Sequence, residues 1–217
     1  KGSDSNDYPV GNGYNGILIE IGSSSDYAND NLILDNIVVH NGEDGIHVGA
    51  YNTDLSSGNR LEDNVIYDSG EMGIDLGATG PDMIDNQDAD TGPNGRQNFP
   101  EVLLASYSAT TLNLTLNFNS TPSTSFTLWF YSSPTCDASG YGEGLAPIGT
   151  STVTLDADGE INGFVIGLSG AIVAHNDYIT ALAIHNANGN TSEFSACRQF
   201  TGYPPNALPV FLPIILR

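Results

Sequence analysis

The chain has 217 residues and a formal net charge of −21 at pH 7, with 26 acidic side chains against five basic ones. This charge excludes nucleic acid as a predicted partner, because phosphate binding requires clustered lysine and arginine. No apolar stretch is long enough for a transmembrane helix, so no membrane span is predicted. The abundance of Gly, Asn, Asp, Ser and Thr favours turns and strands over helices, and an all-β fold is expected. The first residue is Lys1, and we interpret the chain as a piece of a longer precursor.

The first part of the chain contains an internal repeat. Residues 31–49 align without gaps with residues 59–77 at a constant offset of 28, and a partial earlier copy begins at residue 13. The identical pairs include Asn31/Asn59, Asn36/Asn64, Gly42/Gly70, Gly45/Gly73, Ile46/Ile74 and Gly49/Gly77. Short apolar runs lie between Gly and Asn residues, which are expected to turn the chain with positive φ. Such a unit is typical of one coil of a parallel β-solenoid, in which Asn36 and Asn64 would stack as an amide ladder.

The Asn, Gly and Ile positions of this repeat resemble those of pectate-lyase-like proteins. The resemblance covers about residues 11–77 and implies the last coils of a right-handed parallel β-helix. It indicates a fold rather than a function, since such coils occur in lyases, hydrolases, adhesins and surface proteins.

No catalytic residue is predicted in these coils. The Gly-His-Gly and Arg-Ile-Lys motifs of polygalacturonase-like enzymes are absent from the sequence, and the coils contain a single candidate base, Arg60. Glu43 and Glu71 would stack roughly 5 Å apart on adjacent coils. They could form an acid/base pair, a cation site or an exposed ladder, and we favour the ladder.

Two histidines occupy repeat positions that hold aspartate one unit later. His40 aligns with Asp68, and His47 aligns with Asp75. Because the residue type varies at these positions, we expect all four side chains to face solvent.

An acidic loop follows the repeat. Asp85, Asp88 and Asp90 lie close together among glycines, a pattern that suits Ca²⁺. An acidic linker with Asx turns is an equally good interpretation. The first domain is expected to span residues 1–100, with Phe99 closing the last coil.

Seven short alternating runs follow from residue 101, separated by turn signals such as Asp158-Gly159. They predict a β-sandwich, and residues 101–202 resemble a bacterial Ig-like domain. Cys136 and Cys197 lie in this domain. An extracellular location favours one disulfide between them over two buried thiols.

Residues 203–217 form an apolar tail that is stiffened by four prolines. Its predicted docking residues are Leu208, Val210, Phe211, Leu212, Ile214, Ile215 and Leu216. The tail has the form of an extended strand that pairs with the edge of a neighbouring subunit. Packing on its own Ig-like domain and a sorting role are the alternatives.

These patterns predict a secreted, cell-surface structural subunit that self-assembles into a fibre or layer. The predicted partner is a homopolymer formed through the tail, with a surface polysaccharide as a further candidate and Ca²⁺ as the candidate cofactor. The alternatives are a C-terminal fragment of a polysaccharide-active enzyme and a carbohydrate-binding adhesin module.

Overall fold

The computed structural model describes residues 10–22, 26–49, 51, 53–78 and 80–205. Seven strands form the first half: β1 (Ile17–Ile19), β2 (Leu32–Leu34), β3 (Ile37–Val39), β4 (Ile46–Val48), β5 (Arg60–Glu62), β6 (Val65–Tyr67) and β7 (Ile74–Leu76). A short 3-10 helix (Pro93–Arg96) precedes β8 (Glu101–Ser108), β9 (Thr111–Asn119), β10 (Ser125–Ser133), β11 (Ala146–Thr154), β12 (Glu160–Ser169), β13 (Tyr178–His185) and β14 (Arg198–Gln199). The fold is therefore all-β, as predicted. In the described part of the chain, no helix has the length and apolar composition needed to cross a membrane.

The strands of the first half pair in parallel, in the register of the sequence repeat. Strand β4 lies between β1 and β7, β2 pairs with β5, and β3 pairs with β6. Ile46 lies beside Ile74, and Ile37 lies beside Val65, both at the repeat offset of 28. Each repeat unit therefore forms one layer of three short strands. We call β2, β3 and β4 the middle layer, and β5, β6 and β7 the last layer.

Asparagine ladders connect the layers at their corners. The backbone N–H and Nδ2 of Asn36 donate to Asn64 Oδ1 at 3.0 and 3.1 Å, as predicted. The same two groups of Asn31 donate to Asn59 Oδ1 at 3.1 and 2.8 Å. The second ladder continues into the acidic loop, where Asn94 Oδ1 accepts from the backbone N–H of Asn59 at 3.0 Å. These amides satisfy backbone groups that the turns would otherwise leave unpaired.

The glycines of one corner are required by close packing rather than by backbone conformation. Positive φ occurs at Asp35 (57°) and Asp63 (53°), but not at Gly42 or Gly70. A Cβ on Gly70 would lie 2.2 Å from the carbonyl oxygen of Gly42, and a Cβ on Gly42 would lie 2.5 Å from that of Gly13. The expectation of positive φ is therefore wrong at Gly42 and Gly70, where the layers approach too closely for any side chain, but it is confirmed at Gly49 (81°) and Gly77 (93°).

The second half consists of two antiparallel sheets, with strand orders β12-β9-β8 and β11-β10-β13-β14. Its seven strands lie in the seven predicted runs, although the last run, residues 194–200, forms only the two-residue strand β14. Alternate side chains of both sheets fill one core, to which β9 contributes Leu112, Leu114, Leu116 and Phe118, and β10 contributes Phe126, Leu128 and Phe130. This burial provides most of the driving force for folding of the second half.

A disulfide joins Cys136 and Cys197, whose Cα atoms lie 6.0 Å apart. The predicted pairing is therefore confirmed. The bond attaches the loop that follows β10 to the segment that precedes β14, next to a bridge between Tyr141 and Ala196.

A second core joins the two halves. Side chains of the second half, Tyr131, Leu182, Ile184 and Phe194, pack against side chains of the layers, including Ile46, Leu61, Ile66, Ile74 and Leu76. Phe99 is buried but lies outside this core, with its ring 5.7 Å from that of Tyr141. The prediction that Phe99 closes the last layer is wrong, because the four side chains named above do so.

The second half also satisfies the backbone of the last layer, strand by strand. Thr191 Oγ1 accepts from Leu61 N in β5 at 2.9 Å, Gly144 O from Ile66 N in β6 at 3.0 Å, and Glu193 Oε1 from Leu76 N in β7 at 3.1 Å. Each acceptor takes the place of a following strand, so the edges that a stack of layers would expose at this end are covered.

Candidate functional site

The acidic loop brings its three predicted cation ligands together. Asp85, Asp88 and Asp90 each offer a carboxylate oxygen, and these atoms lie within 4.8 Å of one another. Asp85 Oδ2 also accepts from the backbone N–H groups of Ala89 and Asp90, both at 3.0 Å, which are contacts four and five residues along the chain rather than the two-residue contact of an Asx turn. Asp88 Oδ1 accepts from Asn98 N at 2.8 Å. The loop is thus held by its own carboxylates in a conformation that concentrates negative charge.

The electrostatics of this loop favour a positive partner. Burial raises the pKa of Asp88 to about 7, against the backbone N–H of Asn98, which lowers it. Burial also raises the pKa of Asp90 to about 6, although the Arg96 guanidinium counteracts this shift. Arg96 Nη1 lies 3.2 Å from Asp90 Oδ2, and the same guanidinium binds Asp82. Asp90 Oδ1 is enclosed and has no hydrogen-bond partner among the described residues.

A second cluster lies where β4 pairs with β7. Asp44, His47 and Asp75 each offer one ligand atom, and these atoms also lie within 4.8 Å of one another. The expectation that His47 and Asp75 face solvent is wrong: Asp75 is fully buried and the His47 side chain is only 13% exposed. Asp75 Oδ2 accepts from Gly80 N, which lies just after β7, at 3.1 Å.

Charge is concentrated in this second cluster. Burial raises the pKa of Asp75 to about 7, and the nearby Asp44 carboxylate raises it further. Burial lowers the pKa of His47, but its hydrogen bond with Asp44 and the charge of Asp75 outweigh this effect, so the pKa is raised overall.

The other histidine–aspartate pair differs from this cluster. His40 Nδ1 contacts Asp68 Oδ2 across the same offset of 28 residues, but the Asp68 side chain is 68% exposed. Asp68 therefore faces solvent as expected, whereas the His40 side chain is only 20% exposed and does not.

Glu43 and Glu71 contact each other, whereas the single candidate base, Arg60, contacts a different glutamate. Glu71 N donates to Glu43 O at 3.2 Å, so the two residues stack on successive layers as predicted. Burial raises the pKa of Glu71, and the charges of Asp44 and Glu43 raise it further. Arg60 Nε binds Glu62 Oε2 within β5 at 2.5 Å. Arg60 is therefore already engaged by an acidic partner.

The end of the layers opposite the second half presents strand edges and apolar side chains. In the described part of the chain, β1, β2 and β3 each pair on one side only. Leu18, Leu32 and Ile37 on these strands are 48%, 65% and 58% exposed. Ile37 also lines a groove of about 310 Å³, and Asn41, which lines the same groove, has a buried Nδ2 without a hydrogen-bond partner among the described residues. We call this surface the open end.

The predicted assembly residues of the tail, 208–216, lie outside the described residues. The docking of the tail therefore stays a prediction.

In comparisons with known proteins, no family model matches the chain and no curated protein matches it significantly.

The Asp44–His47–Asp75 cluster is the feature that sequence reasoning missed. A signal for it exists, because His47 and Asp75 occupy the same repeat position and Asp44 precedes His47 by three residues. In a parallel stack, equal repeat positions become neighbours on one face. The change from His47 to Asp75 at this position suggests tolerance of variation when only the sequence is considered. In the folded chain it places two different ligand types side by side.

Proposed function

We propose that this protein is a non-enzymatic, secreted structural subunit of a bacterial surface fibre or layer, which assembles by strand pairing between subunits. In this proposal the layers are the last coils of a short right-handed parallel β-helix, and the second half is an Ig-like sandwich that closes it. The observation that supports the proposal best is the difference between the two ends of the layers. One end is covered by side chains and acceptors of the second half, while the open end presents strands that, among the described residues, pair on one side only.

Unequal ends are what a head-to-tail polymer requires. A contact between two different surfaces of the same subunit repeats without closing and builds a filament. The open end combines strand edges that have no partner among the described residues with the exposed side chains of Leu18, Leu32 and Ile37. An edge of this kind is a template for pairing with another chain. The apolar tail of a second copy, around Leu208 and Ile214, is the segment that we propose to supply the added strand.

Two further features suit an extracellular, durable subunit. The disulfide between Cys136 and Cys197 is typical of proteins that work outside the cytoplasm. Ca²⁺ bound by Asp85, Asp88 and Asp90 would neutralise the acidic loop that links the two halves.

Electron microscopy and sedimentation of the purified chain test this proposal. Four forms are compared: the intact chain, a chain lacking residues 207–217, Ile37→Lys at the open end, and Ile172→Lys as the matched control. Ile172 is 73% exposed in the second half, so a lysine there adds the same charge away from the open end. Fibres are expected from the intact chain and the control, and are expected to be lost in the deletion and in Ile37→Lys, because a charge cannot be buried unpaired at a docked edge.

Single particles from all four forms would overturn the structural-subunit proposal. Fibres that require the tail but still form in Ile37→Lys would support the polymer proposal and exclude the open end as the docking surface.

Specific features favour the two alternatives. Glu43 and Glu71 stack on successive layers, and the pKa of Glu71 is raised. These two features would suit a fragment of a polysaccharide-active enzyme. Tyr14, Tyr27 and Tyr51 are each more than 60% exposed, which would suit an adhesin that binds sugars on aromatic rings. Turnover of an acidic polysaccharide that is lost in Glu71→Gln would favour the enzyme. Saturable polysaccharide binding by the monomer that is lost in Tyr51→Ala would favour the adhesin.

A further inference from the structure

We propose that Asp44, His47 and Asp75 form a binding site for one transition-metal dication, with zinc the best match. The three side chains come from two adjacent layers, and their ligand atoms lie within 4.8 Å of one another. This site lies apart from the acidic loop cluster and does not depend on the proposed structural role.

The repeat itself assembles the site. His47 in β4 lies directly beside Asp75 in β7, so both side chains project from the same face of the parallel sheet. Asp44 is fixed at the preceding corner, where its N–H donates to Asn15 Oδ1 at 2.9 Å and its Oδ1 accepts from Met72 N at 2.8 Å. The remaining oxygen of Asp44, Oδ2, is left to face His47. The ligands are therefore positioned by the backbone of the layers before any ion binds.

The hydrogen bonds of His47 leave Nδ1 as the metal-binding atom. Nε2 lies 2.7 Å from Gly49 O, and a carbonyl can only accept, so Nε2 carries a hydrogen. Nδ1 lies 2.8 Å from Asp44 Oδ2, which is also an acceptor. A positive centre must separate these two atoms, either a proton on Nδ1 or a bound cation.

Asp75 supplies an independent indication of a ligand. It is fully buried, and its Oδ1 has no hydrogen-bond partner among the described residues. Burial of a carboxylate oxygen without a partner is costly, and groups of this kind are rare in folded proteins. One dication would satisfy both conditions, because it would replace the proton on Nδ1 and bind the unpartnered oxygen.

The donor set decides the class of metal. One imidazole nitrogen and two carboxylate oxygens match zinc and its neighbours in the first transition series, whereas Ca²⁺ prefers six to eight oxygens. The Nε2–H of His47 donates to a backbone carbonyl, as metal-bound histidines commonly do. A tetrahedral ion with bonds of about 2.1 Å would require Nδ1 and Asp44 Oδ2 to move apart by roughly 0.5 Å. That movement is small for a side chain at the edge of the cluster, and water can complete the coordination.

Calorimetric titration of untagged, metal-stripped protein with ZnCl₂ tests the site. We expect one zinc ion per chain, with binding weakened at least about 100-fold in His47→Gln and in Asp75→Asn. His40→Gln is the matched control, because His40 pairs with Asp68 across the same layers and no third ligand joins them among the described residues. Asp85→Asn controls for the acidic loop. Both controls should bind zinc like the unchanged protein.

A spectroscopic readout covers the case in which a variant fails to fold. The unchanged protein loaded with Co²⁺ should show the strong visible absorption of four- or five-coordinate cobalt. In the zinc-loaded protein, nitrogen-15 NMR should show metal on Nδ1 of His47. Zinc binding that survives in folded His47→Gln and Asp75→Asn would overturn the proposal. So would a Co²⁺ spectrum no stronger than that of the hydrated ion, since His47 would then be simply a protonated ion-pair partner.

Discussion

At the residue scale, the layered half depends on positions where no side chain fits. Gly13, Gly42 and Gly70 form a column through successive layers, and each of the later two meets the carbonyl oxygen of the glycine before it. Gly13 stands at the open end of this column, where an added Cβ would have nothing within 4 Å among the described residues. The same residue type therefore has different constraints at the two ends of one column.

This difference predicts unequal effects of the same substitution. Gly70→Ala would force the last two layers apart and is expected to lower the free energy of unfolding by about 3 kcal/mol. Gly13→Ala meets open space and is expected to change it by no more than about 0.5 kcal/mol. Urea denaturation followed by circular dichroism measures both. Equal effects of the two substitutions would contradict the close-packing explanation.

The proposed metal site also depends on individual residues. Two histidine–aspartate pairs connect the same layers, yet only that of His47 has a third carboxylate and a fully buried aspartate among the described residues. The zinc titration with its His40→Gln control measures the difference between them.

At the scale of elements, several separate segments of the second half together cover the last layer. Its acceptors for the last layer come from separate segments, with Gly144 preceding β11 and Thr191 and Glu193 lying between β13 and β14. The disulfide attaches the loop containing residue 136 to the segment containing residue 197, and so fixes these segments relative to each other. Its main thermodynamic effect is to restrict the unfolded chain.

Removal of the disulfide should therefore be costly. The two cysteines are 61 residues apart, and closure of a loop of that size corresponds to about 4 kcal/mol. A variant with Cys136→Ser and Cys197→Ser should lose that much stability in urea denaturation. Reducing agent should lower the stability of the unchanged protein and leave the variant unaffected. An unchanged denaturation midpoint in the variant would show that the loop is held by its other contacts.

At the scale of the whole molecule, acidic side chains are buried where the two halves meet. Burial raises the pKa of Glu193 well above its usual value, and the charges of Asp82 and Asp75 raise it further. Burial also raises the pKa of Glu143, although the N–H groups of Ser69 and Asp68 counteract this shift. The folded chain thus keeps protons on these groups that the unfolded chain, with a glutamate pKa of about 4.3, releases.

Stability should fall as the pH rises from about 4.3 through the raised pKa values of the folded state. The net charge of −21 at pH 7 adds self-repulsion in the same direction. We expect the melting temperature in EDTA to be higher at pH 5 than at pH 8 by at least about 3 °C. Calorimetry measures this difference, and EDTA is required because a bound cation would stabilise the ionised carboxylates. A higher melting temperature at pH 8 in EDTA would contradict the assignment.

The largest prediction at this scale is assembly. Fibres that depend on the tail and on Ile37 would make the whole molecule one unit of a polymer. The matched Ile172→Lys variant separates this effect from a general loss of solubility.

The sequence by itself determined those features of the molecule that repeat or alternate. The offset of 28 residues predicted the parallel register, including the pairing of Ile46 with Ile74 and the stacking of Asn36 on Asn64. Period-two alternation predicted the strands of the second half, and the two cysteines predicted their own bond. These features depend on neighbouring residues or on equal repeat positions, so a local pattern carries them.

Only the tertiary structure decided which side chains lie beneath other segments. Asp75 is fully buried and accepts from Gly80 N, and the last layer is closed by Phe194 and its neighbours rather than by Phe99. Glu193 accepts from the backbone of a strand more than one hundred residues earlier in the chain. The repeat pattern of the first half contains no information about the distant segment that covers it. Burial across that junction therefore follows from long-range packing.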